Sequence, residues 1–313
     1  MVGPKQATDT KKAANIKQVI VHGHAKLTLH LKVEKKLRSD GYHNVQILSI
    51  PLDLSNTITI KKSIWGTSVK TNTEDIPNGK GSLVWKAAQL MTDSFSNEIM
   101  PVKIKVEENI PISSGLGGGS ADAAAVLKGM NELFNLNLPL EWLASRGIEL
   151  GSDVPLCVHD RPAIVMEKGD VITPIELFID NDILLVTPLL REKVNKTGIV
   201  YKTFDQHSAD MPEIADVKDV LVYGRSDYYS PNFSKLGNCF AGLPIEFLNT
   251  SFGLIRDFKG KPGIVHAGLA GAGPTVYFIL EKNSESVVYA IRTSLMDSEA
   301  QIILTRQHRP KCE

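Results

Sequence analysis

The chain has 313 residues with 35 basic and 35 acidic side chains, so its formal net charge is zero. A surface that binds nucleic acid normally carries a basic excess, and the composition therefore argues against a nucleic-acid partner. Hydrophobic residues make up 42% of the chain, which suits one large or two medium globular domains. The three cysteines have no paired spacing, which indicates reduced thiols, no metal framework and a cytoplasmic protein.

The first 17 residues are polar and without periodicity, and they predict a mobile tail. Their lysines are not followed by an apolar core, so no signal peptide is expected. The most apolar later run, over 171–190, is broken by Glu176, Asp180 and Asp182. We therefore expect no membrane span.

Apolar residues alternate from Val19 to Val33, which predicts a strand pair or one long bent strand. Lys26 lies on the phase opposite the apolar residues and can face a cleft, although a solvated strand lysine is the simpler interpretation. An Asp-Gly turn then presents Tyr42 and His43, which either bind a ligand or pack beside the turn. Two further strands are predicted over 45–54 and 57–60, and a helix over 82–91.

Residues 111–122 contain four glycines between a predicted strand over 102–106 and an amphipathic helix. We expect Ser120 to cap this helix and Asp122 to lie in its first turn. Bare backbone N–H groups at a helix N-terminus can hold phosphate, although a tight turn is the alternative. No lysine follows the glycines, which excludes a P-loop, and about a hundred residues precede them, which argues against a dinucleotide-binding fold.

The second half of the chain offers two more glycine-punctuated segments. Asp153 follows a predicted helix over 141–150 and lies in a rigid loop, where an Asx-turn or a cap is the alternative role. A strand over 183–186, a helix over 197–204 and a polar loop over 208–219 come next. The segment 263–275 with a strand over 276–280 predicts a hairpin around a glycine turn.

Residues 111–121 resemble the phosphate-binding motif of the GHMP kinases, P-x-x-x-G-L-G-[GS]-[GS]-S-[AS], at every fixed position. Residues 151–155 resemble the catalytic-aspartate motif of that family. Residues 263–275 resemble its third motif, with Ala270 and Ala272 where serine is usual. The segments 25–29 (AKLTL) and 40–43 (DGYH) are similar to the signature of one branch, whose substrate is a cytidine diphosphate derivative of a methyl sugar alcohol.

The resemblance implies an α+β, two-domain GHMP kinase fold with a cleft between domains over 18–165 and 166–313. It implies an ATP-dependent small-molecule kinase that uses Mg²⁺, with Asp153 and Lys26 as the catalytic pair. The residues expected to bind ATP are Pro111, Ser113, Ser114, Gly115, Leu116, Gly117, Gly118, Gly119 and Ser120. The residues expected to bind the second substrate are Tyr42, His43, Thr28, Tyr201, Gly271 and Gly273.

Three departures from the family pattern bear on substrate affinity rather than on reaction type. Thr28 stands where this branch usually has asparagine, and Glu108 replaces a basic residue. The segment 159–161 (HDR) replaces a glycine-rich turn. Two other functions stay open from the sequence: another GHMP kinase, of the homoserine or mevalonate type, and a non-catalytic ligand-binding relative.

Overall fold

The computed structural model describes residues 16–74, 79–189, 195–224, 228–296 and 299–309. The strands are β1 Gln18–Leu37, β2 His43–Lys62, β3 Ser68–Thr71, β4 Val102–Glu107, β5 Ala163–Met166, β6 Val171–Pro174, β7 Ile183–Pro188, β8 Leu221–Tyr223, β9 Tyr229–Pro231, β10 Ile264–Leu269, β11 Val276–Leu280 and β12 Ala300–Thr305. The helices are α1 Leu83–Ser94, α2 Gly118–Leu133, α3 Leu140–Gly147, α4 Val154–His159, α5 Lys196–His207, α6 Asn249–Phe258 and α7 Glu285–Ser294. None of these helices is long and apolar enough to cross a membrane.

Two strands of 20 residues each, β1 and β2, pair antiparallel at the centre of the first sheet. The sheet order is β3-β4-β2-β5-β6, with β1 also on β2. The prediction of two strands over 45–54 and 57–60 was wrong, because β2 continues through the whole segment. The register shifts between His24 and Lys26, so residues 52–54 bulge opposite Ala25 instead of turning.

Helices α1 to α4 cover the first sheet, and α2 lies directly on β1 and β2. Two glycines make this close approach possible. A Cβ on Gly23 would lie 2.8 Å from the backbone of Ala121 in α2, and one on Gly129 would lie 2.7 Å from Ile60 in β2. Helix α2 is therefore held tightly against the sheet, which fixes the position of its N-terminus.

A second sheet, with strand order β10-β11-β7-β12, carries α6 and α7 on a separate apolar cluster. The predicted hairpin is confirmed, because β10 and β11 pair antiparallel around the glycine turn. A short 3-10 helix, Val217–Val220, ends the segment predicted as a loop over 208–219. The first sheet continues through β5 and β6 to Pro174, beyond the boundary predicted at 165, and the division into two domains stays a prediction.

Both ends of the chain extend past the described residues. The predicted tail over 1–17 lies outside them up to residue 15, while Ile16 packs against the main core. Cys157 and Cys239 are buried free thiols, and Cys312 lies outside the described residues.

Candidate active site

A cleft with a volume of about 770 Å³ lies between the glycine segment, the middle of β1 and the turn that joins β10 to β11. The sequence-predicted residues that line it are Lys26, Thr28, Pro111, Ser113, Ser114, Gly115, Gly117, Gly118, Gly119, Ser120, Asp153, Tyr201, Gly271 and Gly273. Leu116 is fully buried beneath the loop, and Tyr42 and His43 do not line the cleft.

The glycine loop enters α2 through three left-handed residues. Ser113, Gly115 and Gly117 have φ values of 57°, 88° and 75°. The predicted cap at Ser120 was wrong, because Gly117 is the N-cap and the helix begins at Gly118. A glycine cap has no side chain to accept hydrogen bonds from the first turn, so the N–H groups of residues 118–120 remain available to an anion in the cleft.

The turn at 270–273 packs against the glycine loop, as the third motif of the GHMP resemblance implies. A Cβ on Gly115 would lie 2.5 Å from the carbonyl oxygen of Ala270 and 2.9 Å from that of Gly273. The amide of Thr275 donates to the carbonyl of Ser114 at 3.2 Å. The side-chain amide of Asn238 donates to the carbonyls at both ends of residues 269–271, which fixes this turn from behind.

Lys26 and Asp153 meet across the floor of the cleft. The Lys26 ammonium lies 3.6 Å from an Asp153 carboxylate oxygen and donates to the Thr28 hydroxyl at 3.3 Å. The amide of Lys26 donates to the carbonyl of Leu116 at 2.9 Å, so the lysine backbone is hydrogen-bonded to the glycine loop. Asp153 occupies the N-cap position of α4 but makes no side-chain capping bond among the described residues. Its carboxylate, 45% exposed, is open to a ligand in the cleft.

Comparison with known proteins agrees with this arrangement. A family model described as the GHMP kinases N terminal domain matches residues 82–161. A 4-diphosphocytidyl-2-C-methyl-D-erythritol kinase of Acetivibrio thermocellus is 32% identical over 295 residues, which cover 93% of this chain and 99% of the relative. A protein of the same name from Macrococcus caseolyticus is 34% identical over 271 residues, which cover 86% and 93%. The chain belongs to the GHMP kinase family.

Solved structures show the same fold. A crystal structure of a 4-(cytidine 5'-diphospho)-2C-methyl-D-erythritol kinase matches with a TM-score of 0.71 at 23% identity, over 93% of this chain and 100% of that one. A mevalonate kinase of Methanococcus jannaschii matches with a TM-score of 0.62 at 16% identity, over 95% and 100%. The predicted α+β GHMP kinase fold is confirmed, and so is the prediction of an ATP-dependent small-molecule kinase.

Two acidic side chains, the buried Asp122 and the half-buried Glu108, lie close to the glycine loop of this GHMP kinase. The side-chain amide of Asn56 donates to Glu108 at 2.5 Å and to Asp122 at 2.9 Å. Its side-chain carbonyl oxygen accepts from the backbone N–H groups of Asn109 and Ile110. Asp122 is only 2% exposed and is not in the first turn of α2, contrary to the prediction. Burial, and secondarily the nearby Glu108, raises the pKa of Asp122 to about 8. Burial also raises the pKa of Glu108, whose second oxygen has no hydrogen-bond partner among the described residues.

The DGYH segment of the GHMP kinase lies just outside the cleft. Tyr42 is 61% exposed, with the ammonium of cleft-lining Lys168 at 6.0 Å from its ring centroid. His43 is buried beside Tyr201, with ring centroids 6.0 Å apart. His43 Nδ1 lies 2.6 Å from the Glu34 carbonyl and Nε2 lies 2.7 Å from the Asp205 carboxylate. Both partners offer acceptor oxygens, so they hold the imidazole ring in place from both sides.

The segment 159–161, where the resemblance implies a glycine-rich turn, forms ion pairs through Asp160 and Arg161. Asp160 accepts from His24 at 2.9 Å and from Lys128 at 3.2 Å. Although burial acts to raise its pKa, these two partners hold the pKa of Asp160 below its usual range. Among the described residues, His24, Asp160 and His308 are close enough to hold a metal ion. The imidazole rings of His24 and His308 stack nearly parallel, so their nitrogen lone pairs do not converge on one point. The carboxylate of Asp160 is already paired with Lys128, and we therefore assign no metal to this cluster.

Two functional candidates were missed by sequence reasoning. Lys196, in the first turn of α5, and Phe240, beside Tyr201, both line the cleft. Each comes from a segment in which no motif was recognised. The ammonium of Lys196 donates to carbonyl groups of two glycine loops that lie about eighty positions away in the chain. Such a long-range contact leaves no local pattern in the sequence.

Proposed function

We propose that this GHMP kinase transfers the γ-phosphoryl group of ATP to the 2-hydroxyl of 4-diphosphocytidyl-2-C-methyl-D-erythritol, in the non-mevalonate route to isoprenoid precursors. The observation that carries the proposal is the Lys26–Asp153 pair, which opens into the cleft beside a bare helix N-terminus. Relatives that carry this substrate in their names align over 82–93% of the chain. Those two facts together favour one acceptor among the several that GHMP kinases use.

Phosphoryl transfer proceeds through a loose transition state, so its catalysis depends mainly on position and charge. The N–H groups of residues 118–120 would hold phosphate oxygens of ATP at the N-terminus of α2. Asp153 would accept the proton of the attacking hydroxyl as the new O–P bond forms and the bond to ADP breaks. The ammonium of Lys26 would keep the Asp153 carboxylate ionised and orient the hydroxyl between them.

Mg²⁺ binds oxygen ligands, and it commonly uses one or two carboxylates together with substrate phosphates. The hydroxyl of Ser120 and the carboxylate of Asp153 line the same cleft and fit that donor set. When bound there, Mg²⁺ would neutralise part of the phosphate charge.

The cytosine end of the acceptor would bind near Tyr42, His43 and Tyr201. Tyr201 supplies an aromatic face in the cleft, and Tyr42 lies close enough to close over a base from the exposed side. An N–H donor of His43 would match the N3 acceptor of cytosine and mismatch the N3–H of uracil. In the structure, His43 Nε2 lies within hydrogen-bonding distance of Asp205, whose side chain is 45% exposed. A bound cytosine would replace Asp205 as the partner of this nitrogen.

The test is an ADP-release assay of the purified full chain with ATP and four acceptors. These are the cytidylyl methylerythritol compound, its uridylyl analogue, homoserine and mevalonate. We expect turnover with the cytidylyl compound and little with the other three. Asp153→Asn serves as the inactive control. Preferred turnover of homoserine or mevalonate would assign the chain to another GHMP activity, and no turnover with any acceptor would leave the ligand-binding alternative.

A further inference from the structure

Lys196 bridges the two glycine loops that form the cleft. Its ammonium donates to the carbonyl of Ser113 in the phosphate-binding loop and, at 3.0 Å, to the carbonyl of Gly273 in the third-motif turn. Both Lys196 and Lys26 line the cleft, so two ammonium groups flank the place where the phosphate-binding loop meets the Lys26–Asp153 pair.

The position of Lys196 is electrostatically unfavourable without a ligand. A cation in the first turn of a helix is repelled by the helix dipole, and Lys196 begins α5. Burial, and secondarily the charge of Lys26, lowers the pKa of Lys196 to about 8. No carboxylate among the described residues compensates this charge. An anion in the cleft would offset these penalties, since it would accept from both lysines.

We propose that Lys196 is a second phosphate-binding cation of this kinase, acting opposite Lys26 where the phosphates of donor and acceptor meet. The proposal rests on the proposed function only for the identity of the acceptor. A nucleoside triphosphate and a cytidine diphosphate group offer the same phosphate chemistry, so the two ligands are tested separately. Lys196 is distinct from the residues expected to bind ATP, because it contacts the loops from α5 rather than from the glycine segment.

The test measures binding by calorimetry, using a non-hydrolysable ATP analogue and CDP as separate probes. Lys196→Met is expected to weaken at least one of them by about 10- to 100-fold, as for the loss of one charge-assisted hydrogen bond. Lys196→Arg should retain most of the affinity. Lys202→Met, an exposed lysine of the same helix, is the matched control and should bind both probes like the wild type. The probe whose affinity falls in Lys196→Met identifies which phosphates Lys196 contacts.

A pH profile separates ligand binding from a merely structural link between the loops. Phosphate binds the protonated lysine, so wild-type affinity should fall as the pH rises through about 8, and Lys196→Arg should lose this step. The other titratable groups facing the cleft are Lys26, Glu108, Asp122, Asp153, Lys168 and Tyr201, and they are common to both proteins. Asp122, with its pKa raised to about 8, titrates in the same range in both, so the difference between the two profiles is what reports Lys196. Burial raises the pKa of Tyr201 to about 12, outside the range measured.

Affinities of Lys196→Met within twofold of the wild type for both probes would overturn the proposal. If that variant fails to fold, as judged by its melting curve, the pH profile of Lys196→Arg decides, and a profile identical to the wild type overturns it. Probe binding does not require turnover. A chain that binds both probes through Lys196 but phosphorylates none of the four acceptors would therefore refute the proposed function and not this site.

Discussion

Replacement of Asp122 by asparagine is expected to stabilise the protein at alkaline pH. Asp122 is almost fully buried in α2, and its pKa of about 8 means that the folded state binds its proton more tightly than the unfolded chain does. The free energy of unfolding therefore falls as the pH rises from the pKa of Asp122 in the unfolded chain to its pKa in the folded protein. It is lowest above about pH 8. An asparagine carries no charge and can still accept from Asn56, as Asp122 does at 2.9 Å.

The size of the effect follows from linkage. A rise in pKa from about 3.9 in the unfolded chain to about 8 corresponds to a destabilisation on the order of 5 kcal/mol at high pH. About half of it, roughly 2.5 kcal/mol, should develop between about pH 6 and about pH 9. For a chain of this length that is a change in melting temperature of about 4 °C.

The measurement is urea unfolding of wild type and Asp122→Asn across this pH range, followed by circular dichroism. The difference between the two curves isolates Asp122, because Lys196, whose lowered pKa of about 8 acts in the opposite direction, is present in both proteins. Asp93→Asn, on the exposed face of α1, is the control and should parallel the wild type. Parallel curves for Asp122→Asn and wild type would refute the assignment of a buried, proton-retaining carboxyl.

Three further predictions address the chemistry. Asp153→Asn should lower kcat by at least about 100-fold with little change in ATP affinity, because the amide cannot accept a proton. Lys26→Met should act similarly. Single-turnover kinetics and nucleotide titration would check both variants. Gly117→Val should weaken ATP binding by well over tenfold, because its Cβ would lie 2.9 Å from Lys26 Cγ at a φ of 75°; unchanged affinity in a folded variant would place the phosphates elsewhere. Tyr42→Ala and His43→Ala should raise KM for the cytidylyl substrate by about tenfold or more but not KM for ATP; an equal rise in both KM values, with a lower melting temperature, would assign the two residues to packing.

Sequence patterns located the parts of the site that are local in the chain. The glycine segment between strand and helix predicted a loop that leads into a helix N-terminus, and the structure has this loop before α2. That the loop binds phosphate stays a prediction. The GHMP resemblance paired Lys26 with Asp153, and the structure brings them to 3.6 Å. The predicted cap at Ser120 failed because the helix starts three residues earlier, with Gly117 as its cap. Gly117 has a left-handed backbone conformation, which glycine adopts readily and other residues rarely do.

The parts that sequence reasoning missed depend on contacts between distant segments. Asn56 reads as a turn residue, yet it lies inside β2 and joins two acidic side chains more than fifty positions away. Lys196 precedes the helix predicted over 197–204 and belongs to no recognised motif. Only the packing of α5 beside the two glycine loops places its ammonium at the cleft. Neither arrangement alters hydrophobic periodicity, which is the signal that such predictions use.

The charges of the cleft are separated in a way that orients a polyphosphate. Lys26 and Lys196 line the end of the cleft that holds Asp153, while Glu108 and Asp122 lie beyond the first turn of α2. Phosphates placed near the acidic pair would be repelled by Glu108 and would gain no cation, whereas phosphates between the two lysines gain both charges and the N–H groups of the helix. In the proposed reaction, the terminal phosphate of ATP would therefore bind at the Asp153 end and the nucleoside at the acidic end, which is the orientation that direct transfer to the acceptor requires.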